Sequence, residues 1–369
     1  MTDQKTMKPG NNLSEHLRAK KPAVVINGVF AGRRASGIER FAVETLKALD
    51  GMVAPGRFRL LVPRKTKTDA LPSFKNIEVV RRGILPGPLW EQFSLPLFAR
   101  RTHSETLSLT NTVPLLRPGI ACLHDVFYIT HEKQFRATLR GRLAMAWHRL
   151  HYKAVARTGK TVFTVSEYSR RQISELLQIP KDRIVVLGNG WEHVRDMTCD
   201  DRILRRNPAL VRNQYFFVLG NRSPYKNLSW VVAAAKNRPE TTWAVAGAMP
   251  RSVADRQTLP QNVISLGRVS DGEMKALMQH CRALVHPSLD EGFGIPPLEA
   301  LALGRPAVVA RAACLPEIFG DSVGYIDRPE DRAHADAEAC MGGTREGATR
   351  VLARHTWKNV AQKLCNAIS

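Results

Sequence analysis

Two glutamates, Glu291 and Glu299, stand eight positions apart in HPSLDEGFGIPPLEALALGRP (286–306). An ionised carboxylate only accepts hydrogen bonds, so such a pair suits the hydroxyls of a sugar or a ribose. RALVHPS reads as a strand, LDEGFGI as a glycine-flanked loop and PPLEALAL as a helix. Pro296 or Pro297 fits the first helical turn, and Gly304 followed by Pro306 stops it. Glu291 then lies at the strand's carboxyl end, where open α/β sheets bind ligands. Glu299 is expected in the first turn of the helix, where the dipole favours a carboxylate. Gly292 and Gly294 would let backbone N–H groups come close to a ligand. A solvated Glu291 and a Glu299 that only completes the helix start explain the spacing equally well.

A second candidate is FVLGNRSPYKNL (217–228), a strand, a loop and the start of a helix. Arg222 and Lys226 stand just ahead of a helix N-terminus, where free N–H groups already favour anions. The pair suits a diphosphate whose charge rises as it departs, as in glycosyl or phosphoryl transfer. A third is LHDVFY, in which His124 ends an apolar strand and its ring should reach the mouth of a cleft; Asp125 would orient it or accept a proton. Gly37, ahead of the first predicted helix, would admit a phosphate to the backbone. Each of these alone is more often a solvated or structural feature.

The elements that must position these residues follow from the apolar pattern. Short apolar runs alternate with helix-periodic ones, which predicts α/β layers on parallel sheets. Strands are expected at 22–28, 58–63, 77–80, 161–166 and 184–190, with another in GIACLHDVFY (119–128) that ends at its His-Asp pair, and a helix over IERFAVETLKAL. The charged stretch 191–214 reads as a join, and a second series of strands follows at 215–220, 243–248, 263–269, 282–288 and 305–310. Two halves that each begin strand, glycine loop, helix predict two Rossmann-like domains facing one cleft. The expected division is a flexible tail over 1–21, an acceptor-side domain over 22–195, a nucleotide-sugar domain over 196–354 and a closing helix over 355–369.

Composition narrows the class. With 369 residues, 44% apolar and 24% charged, the chain is globular and of about two domains. No run approaches the ~18 apolar residues of a membrane span, and the polar N-terminus lacks a signal peptide's apolar core. Six cysteines without metal or C-x-x-C spacing point to reduced thiols and a cytoplasmic protein. The net charge is +22, of which residues 1–200 hold +16 (33 basic, 17 acidic). Such a field draws polyanions: nucleic acid, an anionic membrane surface or phosphorylated substrates. There is no aromatic-basic stacking motif or zinc finger for nucleic acid.

Together these segments resemble the retaining glycosyltransferases of family 4, which have the GT-B fold: two Rossmann-like domains facing a central cleft. The two-glutamate motif EGFGIPPLEA is the strongest match, with LGNRSPYKN, LHD, TVSEYS, GNG (188–190) and LPEIFG (315–320) in the same order. WEQFSLPL (90–97) resembles a stretch common in the branch that builds bacterial surface polysaccharides, many of whose members use GDP-mannose. The resemblance implies transfer of a hexose, with mannose the best guess, from a nucleotide-sugar to a lipid-linked or oligosaccharide acceptor, with retention. It implies that Glu299 holds the ribose, that Glu291 with the Gly292-Phe293-Gly294 backbone holds the donor sugar, and that Arg222 and Lys226 neutralise the diphosphate. Gly267, Arg268 and Val269 would border the base, Gly37 would lie near the diphosphate, and His124 would line the acceptor side. The C-terminal helix would cross back onto the first domain. Asn221 stands where many members have the arginine, and Arg33, Arg34, Ala35 and Ser36 replace a run of glycines before Gly37. No D-x-D ends a strand, so no metal or other cofactor is implied. The basic first half fits a peripheral enzyme on the inner face of the cytoplasmic membrane. The alternatives are an epimerase or a non-catalytic module on the same fold, or a basic nucleic-acid-binding protein.

Overall fold

The computed structural model describes residues 23–33, 36–66, 71–220, 223–248 and 259–368. The expected tail and Arg222 lie outside them. Seven strands form a first parallel sheet: β1 (Val24–Asn27), β2 (Phe58–Val62), β3 (Glu78–Arg81), β4 (Glu105–Ser108), β5 (Ile120–Cys122), β6 (Val162–Thr164) and β7 (Ile184–Val186). Their order is β3-β2-β1-β4-β5-β6-β7. Six more form a second: β8 (Tyr215–Gly220), β9 (Thr242–Gly247), β10 (Val263–Gly267), β11 (Ala283–His286), β12 (Ala307–Ala310) and β13 (Gly324–Ile326), in the order β10-β9-β8-β11-β12-β13. Every pairing is parallel; Val24 registers with Phe58 on one side and Glu105 on the other. Strand order therefore reverses between β1 and β4, and again between β8 and β11. A switch point of this kind opens a crevice at the strands' carboxyl ends. Each lobe has one.

The helices that matter for these crevices are α1 (Gly37–Asp50), α2 (Leu139–Arg157), α3 (Glu167–Leu177), α4 (Glu192–Asp196), α5 (Leu228–Asn237), α6 (Asp271–Gln279), α7 (Ile295–Ala302), α8 (Leu315–Phe319), α9 (Arg345–Arg354) and α10 (Trp357–Ile368). Ser36 caps α1: its hydroxyl accepts from Ile38 N–H, while its own N–H donates to Glu39. Phe41, Ala42, Leu46 and Leu49 turn the apolar face of α1 inward.

Trp357, Val360, Ala361 and Leu364 follow i, i+3, i+4, i+7 spacing, so α10 buries one stripe and lays it along α1 of the first lobe. The Phe41 and Trp357 rings meet at 6.1 Å, and Lys363 Nζ donates to the Leu187 carbonyl. One apolar cluster thereby runs through both lobes, from Ile26 and Phe41 to Phe293, Leu315 and Trp357.

The predicted join is more structured than its charge suggested. It holds α4 and a second short helix, Arg202–Arg206, and Ile203, Leu204 and Leu210 are buried. Spaced apolar side chains pack while their charged neighbours stay in water. The strand expected to end at the His124-Asp125 pair stops at Cys122, and a short helix begins at Phe127. Among the described residues no helix is long and apolar enough to cross a membrane.

Candidate active site between the lobes

Lys226 closes a single 3₁₀ turn, Pro224–Lys226, after β8. Asn227 follows in the left-handed region (φ +52°), and its amide donates to the Pro329 carbonyl. That turn ends at the start of α5 and aims Lys226 across the switch point. Its ammonium pairs with Glu291 Oε1, on the loop after β11. His286, the last residue of β11, donates Nε2–H to the same oxygen at 2.8 Å. Oε2 of Glu291 accepts no hydrogen bond among the described residues. Burial opposes a charge on Glu291, but the Lys226 ammonium and the His286 bond outweigh it and hold the carboxyl well below its ordinary value. Burial lowers the His286 pKa, so that ring donates as a neutral imidazole.

Glu299 sits in the second turn of α7, not the first, since the helix begins at Ile295 and has no acid in its first turn. The helix dipole therefore does not hold it; a relay of side chains does. His193 Nε2 meets Glu299 Oε1 at 2.6 Å, and the Trp357 indole N–H donates to His193 Nδ1 at 3.0 Å. Because Nδ1 accepts, the proton of the neutral ring is on Nε2, which donates to the glutamate. The C-terminal helix thus orients Glu299 through α4, and among the described residues again only one carboxylate oxygen is taken. His193 and Trp357 gave no sequence signal beyond their type, because α4 and α10 meet α7 only in the folded chain.

The first lobe closes directly onto this loop. His124 ends the segment after β5, but its ring does not reach the cleft mouth. The ring stands edge-on to Phe41 at 4.7 Å, and Nε2 lies 3.0 Å from the Leu109 carbonyl. Burial lowers its pKa to about 4, so the imidazole is neutral and Nε2 carries the proton toward Leu109. It is the backbone of His124 that meets the second lobe. A Cβ on Gly292 would lie 2.6 Å from the His124 carbonyl, so glycine there permits lobe contact. Ser169 Oγ lies within hydrogen-bond reach of both carbonyls, His124 and Gly292.

Further contacts tie the lobes together. Asp290 accepts from His131 (2.8 Å) and from the Tyr168 hydroxyl (3.1 Å). Glu317 of the LPEIFG segment accepts the Glu167 and Tyr168 N–H groups, capping α3 from the opposite lobe. Arg40 pairs with Asp271 at 2.8 Å. Glu167, Tyr168, Glu317 and Asp290 lie in segments that the sequence singled out, but none of these cross-lobe pairings was read from it.

Asp125 faces this acidic edge. Burial raises its carboxyl to about 6; the Phe127 N–H and Asn111 side chain restrain the rise, and Asp290 and Glu291 add to it. A group whose folded pKa lies above its unfolded value of 3.8 is neutral in both states below pH 4. Between about pH 4 and 6 only the unfolded chain releases the proton, so Asp125 costs stability progressively across that window and no further above it. Melting of Asp125→Asn measured against wild type should show the variant gaining stability from pH 4 to 6, then levelling. A difference independent of pH would refute the raised carboxyl.

Of the remaining predicted residues, Gly294 has φ +91° and a Cβ there would sit 2.7 Å from Leu315, so both conformation and packing require glycine. The Phe293 side chain is buried, edge-on to His355. Gly37 opens α1 with Ile295 Cδ1 3.8 Å from where its Cβ would be, placing it against the second lobe. Gly267, Arg268 and Val269 lie where β10 ends, two strands from the switch point, with Arg268 exposed. A cavity of about 540 Å³ runs between the lobes from Phe30, Arg33 and Arg40 to His193 and Asp271. It meets the site through His193 rather than through Lys226 or Glu291.

This arrangement offers a cation, two carboxylates each with one oxygen that has no partner among the described residues, and backbone at a switch point, all suited to a polar, anionic, hydroxyl-bearing ligand. Comparison with known proteins agrees. The family described as "Glycosyl transferases group 1" matches residues 200–340. The O-antigen chain mannosyltransferase RfbU of Salmonella typhimurium is 25% identical over 267 residues, covering 69% of this chain and 70% of that protein. The O-antigen chain mannosyltransferase B of Escherichia coli is 29% identical over 239 residues, covering 57% and 60%. Among solved structures, sucrose-phosphate synthase from Thermosynechococcus elongatus superposes with a TM-score of 0.66 at 14% identity, over 94% of this chain and 98% of that one. Anabaena HepE, in complex with UDP and glucose, superposes with a TM-score of 0.66 at 17% identity, over the same shares. With the two sheets, the paired switch points and the returning helix, these matches establish that the chain carries a glycosyltransferase group 1 domain over residues 200–340 and has the GT-B fold.

Proposed function

We propose that the protein transfers a hexose, mannose from GDP-mannose, to a hydroxyl of a lipid-linked or oligosaccharide acceptor in bacterial polysaccharide biosynthesis, with retention at the anomeric carbon. The observation that carries this reading is the meeting of Lys226 and Glu291 at the second switch point, with Glu299 on the adjoining helix. Both curated relatives named above are O-antigen chain mannosyltransferases, which supports mannose and a surface-polysaccharide acceptor. In the reaction the bond from sugar C1 to the diphosphate oxygen breaks and a bond from C1 to the acceptor oxygen forms on the same face. The nucleoside diphosphate departs, and the acceptor's proton leaves with it. Lys226, together with Arg222, would meet the charge that grows on the diphosphate, so no divalent metal is needed. Glu291 would hold donor hydroxyls, Glu299 the ribose, and closure of the lobes would exclude water.

The test incubates the full chain with GDP-, UDP- and dTDP-sugars in EDTA, with and without a glycoside acceptor. Acceptor-dependent release of GDP from GDP-mannose and an α-linked product by NMR are expected. Nucleotide release that ignores the acceptor, an interconverted sugar nucleotide, or an inverted product would each overturn the reading.

The membrane part of the proposal rests on α2 and its surroundings. Leu139, Leu143 and Leu150 are exposed among Arg140, Arg142, Lys153 and Arg157, and this helix carries no acid. Leu116, 92% exposed beside Arg117, extends the patch. Each basic residue near an anionic leaflet contributes roughly 1 kcal/mol at best, enough collectively for reversible attachment. Co-flotation with phosphatidylglycerol vesicles at low salt, lost at high salt, is the expected result. Equal flotation with neutral phosphatidylcholine vesicles would argue against it.

A further inference from the structure

The two charged residues paired at the second switch point come from separate elements, Lys226 from the turn after β8 and Glu291 from the loop after β11. Each is preceded by a residue that the first lobe grips, Tyr225 and Asp290. One first-lobe side chain reaches both. His131 follows the short helix Phe127–Thr130. Its Nε2–H donates to Asp290 Oδ2 at 2.8 Å, and its ring stacks on Tyr225 at 4.9 Å and 29°. Phe127 lies 5.0 Å from Tyr225 and stands edge-on to His131 at 5.3 Å, so three rings from two lobes make one cluster.

Within the second lobe the turn and the loop are tied to each other. Leu289 N–H donates to the Tyr225 carbonyl at 2.7 Å, and the Ser288 hydroxyl donates to the same oxygen at 3.3 Å. A displacement of Tyr225 or Asp290 therefore carries Lys226 and Glu291 with it. The place also gathers like charge: Asp125 of the first lobe faces Asp290 and Glu291 of the second. Carboxylates brought together across a cleft push it open unless donors stand between them. Tyr168 donates to Asp290 Oδ1 at 3.1 Å, its hydroxyl held by Gln172 at 2.8 Å, and His131 takes Oδ2. Alanine at 131 would leave Tyr168 as the only cross-lobe donor to the Asp290 side chain among the described residues, and would strip Tyr225 of its stacking partner.

We propose that His131 is a positioning residue for transfer: by holding Asp290 and Tyr225 from the opposite lobe, it sets Lys226 and Glu291 in place when the lobes are closed. The inference rests on the transferase reading above and adds to it the first-lobe contact that assembles the site. His131 acts through the neighbours of two site residues and on no reacting atom. It therefore governs the rate of the closed complex more than the binding of donor to the second lobe. A misplacement of about 1 Å in such a constellation costs on the order of a hundredfold in rate.

The experiment uses the full chain with GDP-mannose as donor and octyl α-mannoside as acceptor, measuring kcat, donor KM and melting temperature. His131→Ala should lower kcat on the order of tenfold to a hundredfold, with donor KM within about twofold of wild type. His131→Gln keeps an N–H for Asp290 and His131→Phe keeps a ring for Tyr225, so each should recover part of the rate. Wild-type kcat in His131→Ala overturns the proposal. So does a loss of rate that simply tracks the melting temperature across the three variants, or one as deep in both conservative variants as in alanine. A wild type that shows no acceptor-dependent release of GDP overturns the transferase reading, and this inference with it.

Discussion

Replacing Lys226 by alanine is expected to lower kcat for transfer about a hundredfold, a barrier increase of ~3 kcal/mol. The ammonium is the described residues' nearest cation to the Glu291 carboxylate, and it stands where a turn hands the chain from β8 to α5. Charge on a departing diphosphate is greater in the transition state than in the bound donor. A cation placed there lowers the barrier more than it tightens binding. Loss of kcat with little change in donor KM is the signature to look for. The substitution also leaves Glu291 buried with only the His286 bond to hold its charge, so its carboxyl pKa climbs. Lys226→Arg, which keeps the charge, should recover part of the rate. Steady-state kinetics with saturating acceptor decides the matter: unchanged transfer in Lys226→Ala would remove the lysine from the machinery.

Glu299→Ala should reduce kcat/KM for the donor by about two orders of magnitude, the scale of ~3 kcal/mol, through donor KM as well as kcat. Two effects combine. The carboxylate oxygen left open by His193 is lost to the ligand, and the His193 Nε2–H, 5% exposed, loses its acceptor. The second effect costs roughly 1–3 kcal/mol of stability, visible as a lowered melting temperature. Glu299→Gln retains an oxygen for His193 and should melt near wild type while still binding donor poorly. Ribose recognition is tested by pairing the variants with a 2′,3′-dideoxy nucleotide-sugar. Wild type should discriminate against it, and Glu299→Ala should not. Equal discrimination by both proteins would place Glu299 away from the ribose, as a structural acid locked to α4 and α10.

The two predictions depend on how differently the parts of this site are encoded. The architecture was legible because parallel strands buried on both faces must be apolar runs, and Val24–Asn27, Tyr215–Gly220 and Ala307–Ala310 are such runs. β4 was not recognised, because three of the four residues of ETLS are polar; its Ser108 hydroxyl faces Asn27 within the first switch point. β13, only three residues long, carries too little pattern to be seen. The glycine–glutamate segment could be read because a strand, a left-handed glycine and a proline-started helix each have local causes. The first-turn place expected for Glu299 was wrong because Ile295 precedes the prolines into the helix and moves every later residue along it.

From its order of residues alone, this protein has two parallel-sheet lobes, an excess of basic charge on the first, and two strand-to-helix segments that present two acids and a lysine to a crevice. Those features follow from periodicity, backbone restriction and charge, which act between near neighbours in the chain. Partnership was decided only in three dimensions. His193 meets Trp357 across 164 positions of sequence and Glu299 across 106, Glu317 caps a helix of the other lobe, and the His124 ring turns inward while its carbonyl meets Gly292. Such contacts depend on which faces the lobes bring together, and no local preference of a histidine or a glutamate carries that information.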